Sequence, residues 1–163
     1  AKRPAQADAH YELGVTLEQG GDVAEALVEM EAAARLRPDW MPAQLALGNL
    51  FARLNKMTDA ERAYREAVKL EPKSGEARYA LGSALARREA FAEAIAELSA
   101  AVAREPDHVK ARANLGNCLL VTGRIGEAIA CYDEVLRRTP GDAQVMENRA
   151  VALELARARV VPR

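Results

Sequence analysis

The chain has 163 residues, with 23 Lys plus Arg against 24 Asp plus Glu, a formal net charge of -1, and an apolar half. That balance removes the long-range positive field on which nucleic-acid and anionic-membrane binding depend, and no run of about 18 apolar residues is present to insert into a bilayer. Two cysteines are too few for a disulfide framework and suit a reducing, cytoplasmic compartment. The chain opens at Ala1 rather than Met, so a piece of a longer protein is expected.

Read along its length, the sequence repeats itself. Pro4, Pro38, Pro72, Pro106 and Pro140 are each 34 residues apart, and Gly14, Gly48, Gly82 and Gly116 keep the same step, with Ala150 in the next slot. Ala26, Ala60, Ala94 and Ala128 form a third column, and Leu17, Phe51, Leu85 and Leu119 a fourth. Columns in phase are the signature of stacked supersecondary units. One domain over 1–163 is expected, with units at 7–40, 41–74, 75–108 and 109–142 and a terminal helix at 143–161. Pro4 would close a preceding unit.

Each unit reads as two helices. In the second, Leu47, Leu50 and Phe51 share one stripe, Leu54-Asn55-Lys56 connects, and Met57 to Leu70 carries Ala60, Tyr64, Ala67 and Val68 on one face. The turn slot holds Gly21, Asn55, Glu89 and Gly123; Gly and Asn suit a left-handed helix end, and Glu89 is the exception. The second helices start with Glu25, Asp59, Glu93 and Glu127, which oppose the positive end of the helix dipole. The recurring glycine allows the paired helices to approach, and Gly48 is expected to face Ala60.

Catalysis would need a nucleophile with its base, a paired acid and base, or a metal cluster. His10, His108, Cys118 and Cys131 lack such spacing, and Gly20-Gly21 is a turn rather than a phosphate loop. No enzyme, cofactor or metal is expected. Arg35, Arg37, Arg62, Arg65, Arg104, Arg137 and Arg138 alternate with Glu29, Glu31, Glu61, Glu66 and Glu134, the pattern of a solvated outer face and not of a nucleic-acid stripe.

The period, the Leu-Gly pair, the Ala column followed by Tyr64 and Tyr132, and the closing Pro resemble the tetratricopeptide repeat family. The resemblance implies an all-α, right-handed solenoid of antiparallel helix pairs. In it, first helices line a concave groove that holds a protein or peptide segment.

Positions three before, one after and four after the glycine share roughly one helical face, Asn114 and Asn148 stand two before the glycine slot, and Lys110 comes from the clamp comparison below. The expected peptide-binding set is Tyr11, Leu45, Asn49, Tyr79, Ser83, Lys110, Asn114, Asn117, Leu120 and Asn148, with apolar anchors and asparagines that pair with a peptide backbone. The carboxylate-clamp pattern of some chaperone-binding members matches only at Asn49 and Lys110; Leu45, Ala80 and Asn114 break it, so no such clamp is expected. A protein-interaction scaffold follows. The alternatives are a docking array from a larger transferase and a self-assembling scaffold that associates through its terminal helix, where Met146, Val151, Leu153 and Leu155 are apolar.

Overall fold

The computed structural model describes residues 2–160. Among these, the chain forms α1 (Lys2–Gly20), α2 (Val23–Leu36), α3 (Met41–Arg53), α4 (Met57–Leu70), α5 (Gly75–Arg87), α6 (Phe91–Arg104), α7 (Val109–Val121), α8 (Ile125–Arg138) and α9 (Ala143–Val160), with no strand. The expected helix end at 161 lies outside the described residues. Pro4 does not close a unit: it falls in the first turn of α1, where a missing N–H leaves no helical bond unmade.

The turns inside the pairs are four copies of one device. Gly21 (φ 92°), Asn55 (59°), Glu89 (62°) and Gly123 (77°) all adopt the left-handed conformation. The next residue in each case donates its N–H to the carbonyl five back: Asp22 to Leu17 (2.9 Å), Lys56 to Phe51 (2.8 Å), Ala90 to Leu85 (3.0 Å), Arg124 to Leu119 (2.8 Å). This closes the last helical turn and satisfies a carbonyl that would otherwise be orphaned. Glu89 is therefore held in a conformation that costs a side-chain-bearing residue roughly 1–2 kcal/mol; the repeat geometry overrides the local preference. At the other ends, Ser74 Oγ, His108 Nδ1 and Asp142 Oδ1 each accept the N–H three residues on, capping α5, α7 and α9 at 3.1 Å.

The helices pair α1 with α2, α3 with α4, α5 with α6 and α7 with α8, each pair packs on the next, and α9 packs on α8. First helices also touch one another: α3 meets α5, α5 meets α7, and α7 meets α9. No contact of similar extent joins one second helix to the next among the described residues. A stack that touches along one row and splays along the other curves, with the first helices on the inside. The expected all-α solenoid is the architecture present.

Close approach within the pairs occurs at the glycines, and a larger side chain than the alanine column comes nearest. The atoms nearest Gly48 belong to the ring of Tyr64, and a methyl group there would overlap that ring. A Cβ at Gly116 would lie 2.7 Å from Tyr132 Cε1, and one at Gly82 2.7 Å from Leu98 Cγ. At Gly14 the nearest atom would be the flexible Cε of Met30, at 3.1 Å. The slot sixteen residues after the glycine thus crosses it, because a side chain that long can span the gap only if no Cβ fills it.

Buried apolar side chains form two clusters. One joins Ala26, Met30, Ala33, Ala34, Ala43 and Leu50; the other runs from Leu45, Ala60 and Tyr64 to Val145 and Ala152. They meet across α3. On the outer side Glu61, the one buried carboxylate among the described residues, is held by Arg65 and by Arg88 at the end of α5. Arg65 reaches on to Glu93 at 2.9 Å, so an ionic chain ties α4, α5 and α6 together.

Candidate functional site: the inner surface of the first helices

Three hollows follow one another along the inside of the curve. The first, of about 210 Å³, is lined by Tyr11, Met41, Pro42, Leu45, Ala46, Asn49 and Glu76. The second, of about 230 Å³, shares Asn49 and adds Met57, Tyr64, Tyr79, Ser83 and Arg87 among others. The third, of about 300 Å³, shares Ser83 and Arg87 and is otherwise walled by Ala86, Phe91, Asn114, Asn117, Cys118 and Val121. Shared walls make them one groove.

The structure places the expected residues unevenly. Tyr11 and Tyr79 are half-buried, each with one face on a neighbouring ring: Tyr11 on Trp40 at 4.7 Å between centroids, Tyr79 on His108 at 4.5 Å. Both line hollows. Leu45 is only 7% exposed and belongs to the core, so it is mainly a packing residue that presents one edge to the first hollow. Leu120 is half-buried against the same core. Lys110 stands exposed on the first turn of α7, one turn ahead of Asn114.

The asparagines are committed to the protein more than their sequence pattern implied. Tyr64 OH donates to Asn49 Oδ1 at 2.8 Å, and Tyr132 OH to Asn117 Oδ1 at 2.9 Å. Asn148 Nδ2 also donates to Asn117 Oδ1, at 2.9 Å, while Asn148 Oδ1 accepts from Gln144 Nε2; Asn114 Nδ2 donates to Ser83 Oγ at 3.0 Å. These bonds stitch α5 to α7 and α7 to α9. The amide nitrogens of Asn49 and Asn117 hold no protein partner among the described residues, and Asn117 Oδ1 already accepts twice, so both residues offer donors to the groove and only Asn49 keeps an acceptor lone pair.

Burial governs the titratable groups nearby. Desolvation pushes the Tyr64 phenol up to about 12, against the Arg87 charge, which pulls the other way; desolvation also lifts Tyr132 to about 12. Burial raises the thiols of Cys118 and Cys131 as well, which keeps them protonated and unreactive. His10 Nδ1 lies 2.6 Å from Glu29, and His108 caps α7. No group of three or more His, Cys, Asp or Glu is placed to hold a metal ion among the described residues. Among the helices of those residues, none is long and apolar enough to cross a membrane.

Arg87, Phe91, Met57 and Val121 were not in the expected set. Arg87 and Val121 share a register one turn past Ser83 and Asn117, so extending the groove row by i+4 would have found them. Phe91 and Met57 open the second helices, and only the tertiary approach brings them to the groove.

The architecture defines a helical-repeat protein with a continuous inner groove. Tetratricopeptide repeat models match residues 1–39, 45–104 and 85–150, and the chain belongs to the tetratricopeptide repeat family. No curated protein matches the sequence. Among solved structures, a MamA protein superposes with a TM-score of 0.87 at 24% identity, over 93% of this chain and 82% of that one. YrrB, described as a TPR protein with an unusual peptide-binding site, gives 0.83 at 23% identity, over 93% and 78%. The first TPR domain of Spaghetti (RPAP3), bound to the HSP90 peptide SRMEEVD, gives 0.71 at 20% identity, over 74% and 95%. At these identities the likeness concerns the fold.

Proposed function

We propose that this chain is a protein-interaction scaffold that holds a peptide segment of a partner along the inner surface of its first helices. The observation that carries the reading is the unbroken series of three hollows, joined through Asn49, Ser83 and Arg87. Family membership and the peptide bound by the RPAP3 domain support it. Because the groove is formed in the folded chain, binding needs little ordering of the scaffold.

Peptides selected from a phage-displayed random library on the intact chain test this. Tyr79→Ala should weaken the selected peptides by about 1–2 kcal/mol in fluorescence anisotropy while leaving helicity unchanged. Val28→Ser, at a residue 63% exposed on a second helix, should leave affinity unaltered. Equal binding by wild type and Tyr79→Ala would place the binding surface elsewhere.

Self-association through the terminal helix is the second reading, favoured by Met146, Val151 and Leu155 standing 45–46% exposed on α9. Sedimentation across a concentration series decides it, since a monomer throughout excludes it.

A further inference from the structure

The strongest unassigned feature of the groove is a cation without a counter-ion. Arg87 is the last residue of α5 and lines both the second and third hollows. Arg53, in the equivalent register one repeat earlier, is neutralised by Glu18 at 2.8 Å. Elsewhere on the first helices Arg78 pairs with Glu97 (2.6 Å) and Arg149 with Asp133, Arg112 donates to the neutral Pro106 carbonyl (2.9 Å), and Arg157 lines none of the three hollows. Arg87 makes a single long contact, 3.3 Å from Nη2 to the neutral Asn55 Oδ1, and no carboxylate pairs with it among the described residues.

Its surroundings are apolar on both sides. Ala52, Met57 and Tyr79 line the hollow before it, and Phe91, Cys118 and Val121 the hollow after it. A peptide crossing this stretch would strip water from the guanidinium, and an uncompensated buried charge is strongly unfavourable. A carboxylate offers the matching pair of acceptors in the guanidinium's own plane. The unoccupied amide donors of Asn49 and Asn117 reinforce the preference for an acceptor-rich ligand.

We propose that the groove recognises an internal acidic side chain flanked on both sides by apolar side chains, the carboxylate pairing with Arg87 and the apolar groups filling the hollows next to it. A chain-terminal carboxylate is disfavoured because it would leave one of the two hollows empty. This inference rests on the groove reading above and adds the chemistry of its ligand.

The library selection supplies the test, because displayed peptides are fused at their C-terminus and carry no terminal carboxylate. Selected sequences should be enriched in Asp or Glu between apolar residues. For a synthetic winner with blocked ends, replacing its acid by the amide or making Arg87→Gln in the protein should each weaken binding about tenfold. Combining the two should add little further loss, as expected for one shared interaction. Winners that bind Arg87→Gln as well as wild type, yet lose affinity to Tyr79→Ala, would overturn the acidic assignment and leave the groove reading intact. Winners indifferent to both substitutions, or none at all, would overturn both.

Discussion

The even-numbered repeats differ from the odd-numbered ones at a pair of positions, and the difference is systematic. In the second and fourth repeats a tyrosine crosses the glycine and gives its hydroxyl to an asparagine on the groove side: Tyr64 to Asn49, Tyr132 to Asn117. In the first and third the crossing residue is Met30 or Leu98, and the groove-side residue is Val15 or Ser83. The two positions change together because a buried hydroxyl demands a partner and a buried thioether or isobutyl group does not. No buried side-chain polar atom lacks a hydrogen-bond partner among the described residues. One backbone plan thus accommodates two fillings of the same contact, and the choice made inside each pair dictates what its groove displays.

Adding a methyl group at the crossing point would break the contrast most sharply. Gly48→Ala and Gly116→Ala force a backbone-anchored Cβ into a rigid ring and should destabilise the chain by about 1–3 kcal/mol in urea denaturation followed by circular dichroism. At Gly14 the methyl meets the flexible end of Met30 at 3.1 Å and the Ala26 carbonyl oxygen at 3.3 Å, a much smaller intrusion than into a ring, and the helix gains about 0.5–1 kcal/mol from losing a glycine. Gly14→Ala should therefore be close to neutral. Equal losses at all three positions would refute the ring-against-glycine account.

Converting one filling to the other sharpens the comparison. Tyr132→Leu and Asn117→Ser, made singly, each leave a polar group or a gap behind. Made together they recreate the third repeat's pairing, so the double variant should lose less stability than the sum of the singles, by about 1 kcal/mol. Strict additivity would mean that the hydroxyl–amide bond is not what links the positions.

The smallest effect is read with base alone. Tyr64 and Tyr132 should ionise near pH 12 in a spectrophotometric titration, above the ordinary value of 10.0. The folded state binds these protons more tightly than the unfolded chain, so the stability they contribute is complete below pH 10 and disappears as pH climbs through about 12. Both phenols titrating at the ordinary value would show that their rings are not desolvated.

Much of this architecture was legible in the sequence, for identifiable reasons. Period, helix pairing and solenoid class follow from columns such as Gly48 and Ala60, because every unit solves the same packing problem and repeats its solution. The turn at Glu89 was less legible: nothing in a glutamate favours a left-handed backbone, and the hydrogen bond from Ala90 to Leu85 imposes it. The groove was legible by register but not by availability. Asn49 and Asn117 lie on the face that helical spacing gives them, yet whether their atoms are free depends on side chains fifteen residues away. Arg87 stayed hidden because its neighbours are ordinary; only the absence of a carboxylate beside it in space sets it apart from Arg53.

The meeting of two apolar clusters across α3 has a bearing on motion. Ala43 and Leu50 face one cluster while Leu45 faces the other, so an opening of the first two helices is expected to expose the first interior and leave the second covered. Amide protons in α1 and α2 would then exchange through a partial opening while those of α5 to α8 wait for a larger one. Tyr11 would travel with the departing helices, so the first hollow would come and go while the Arg87 region stayed assembled. A ligand spanning both would act as a splint across that seam and slow exchange in α1 and α2.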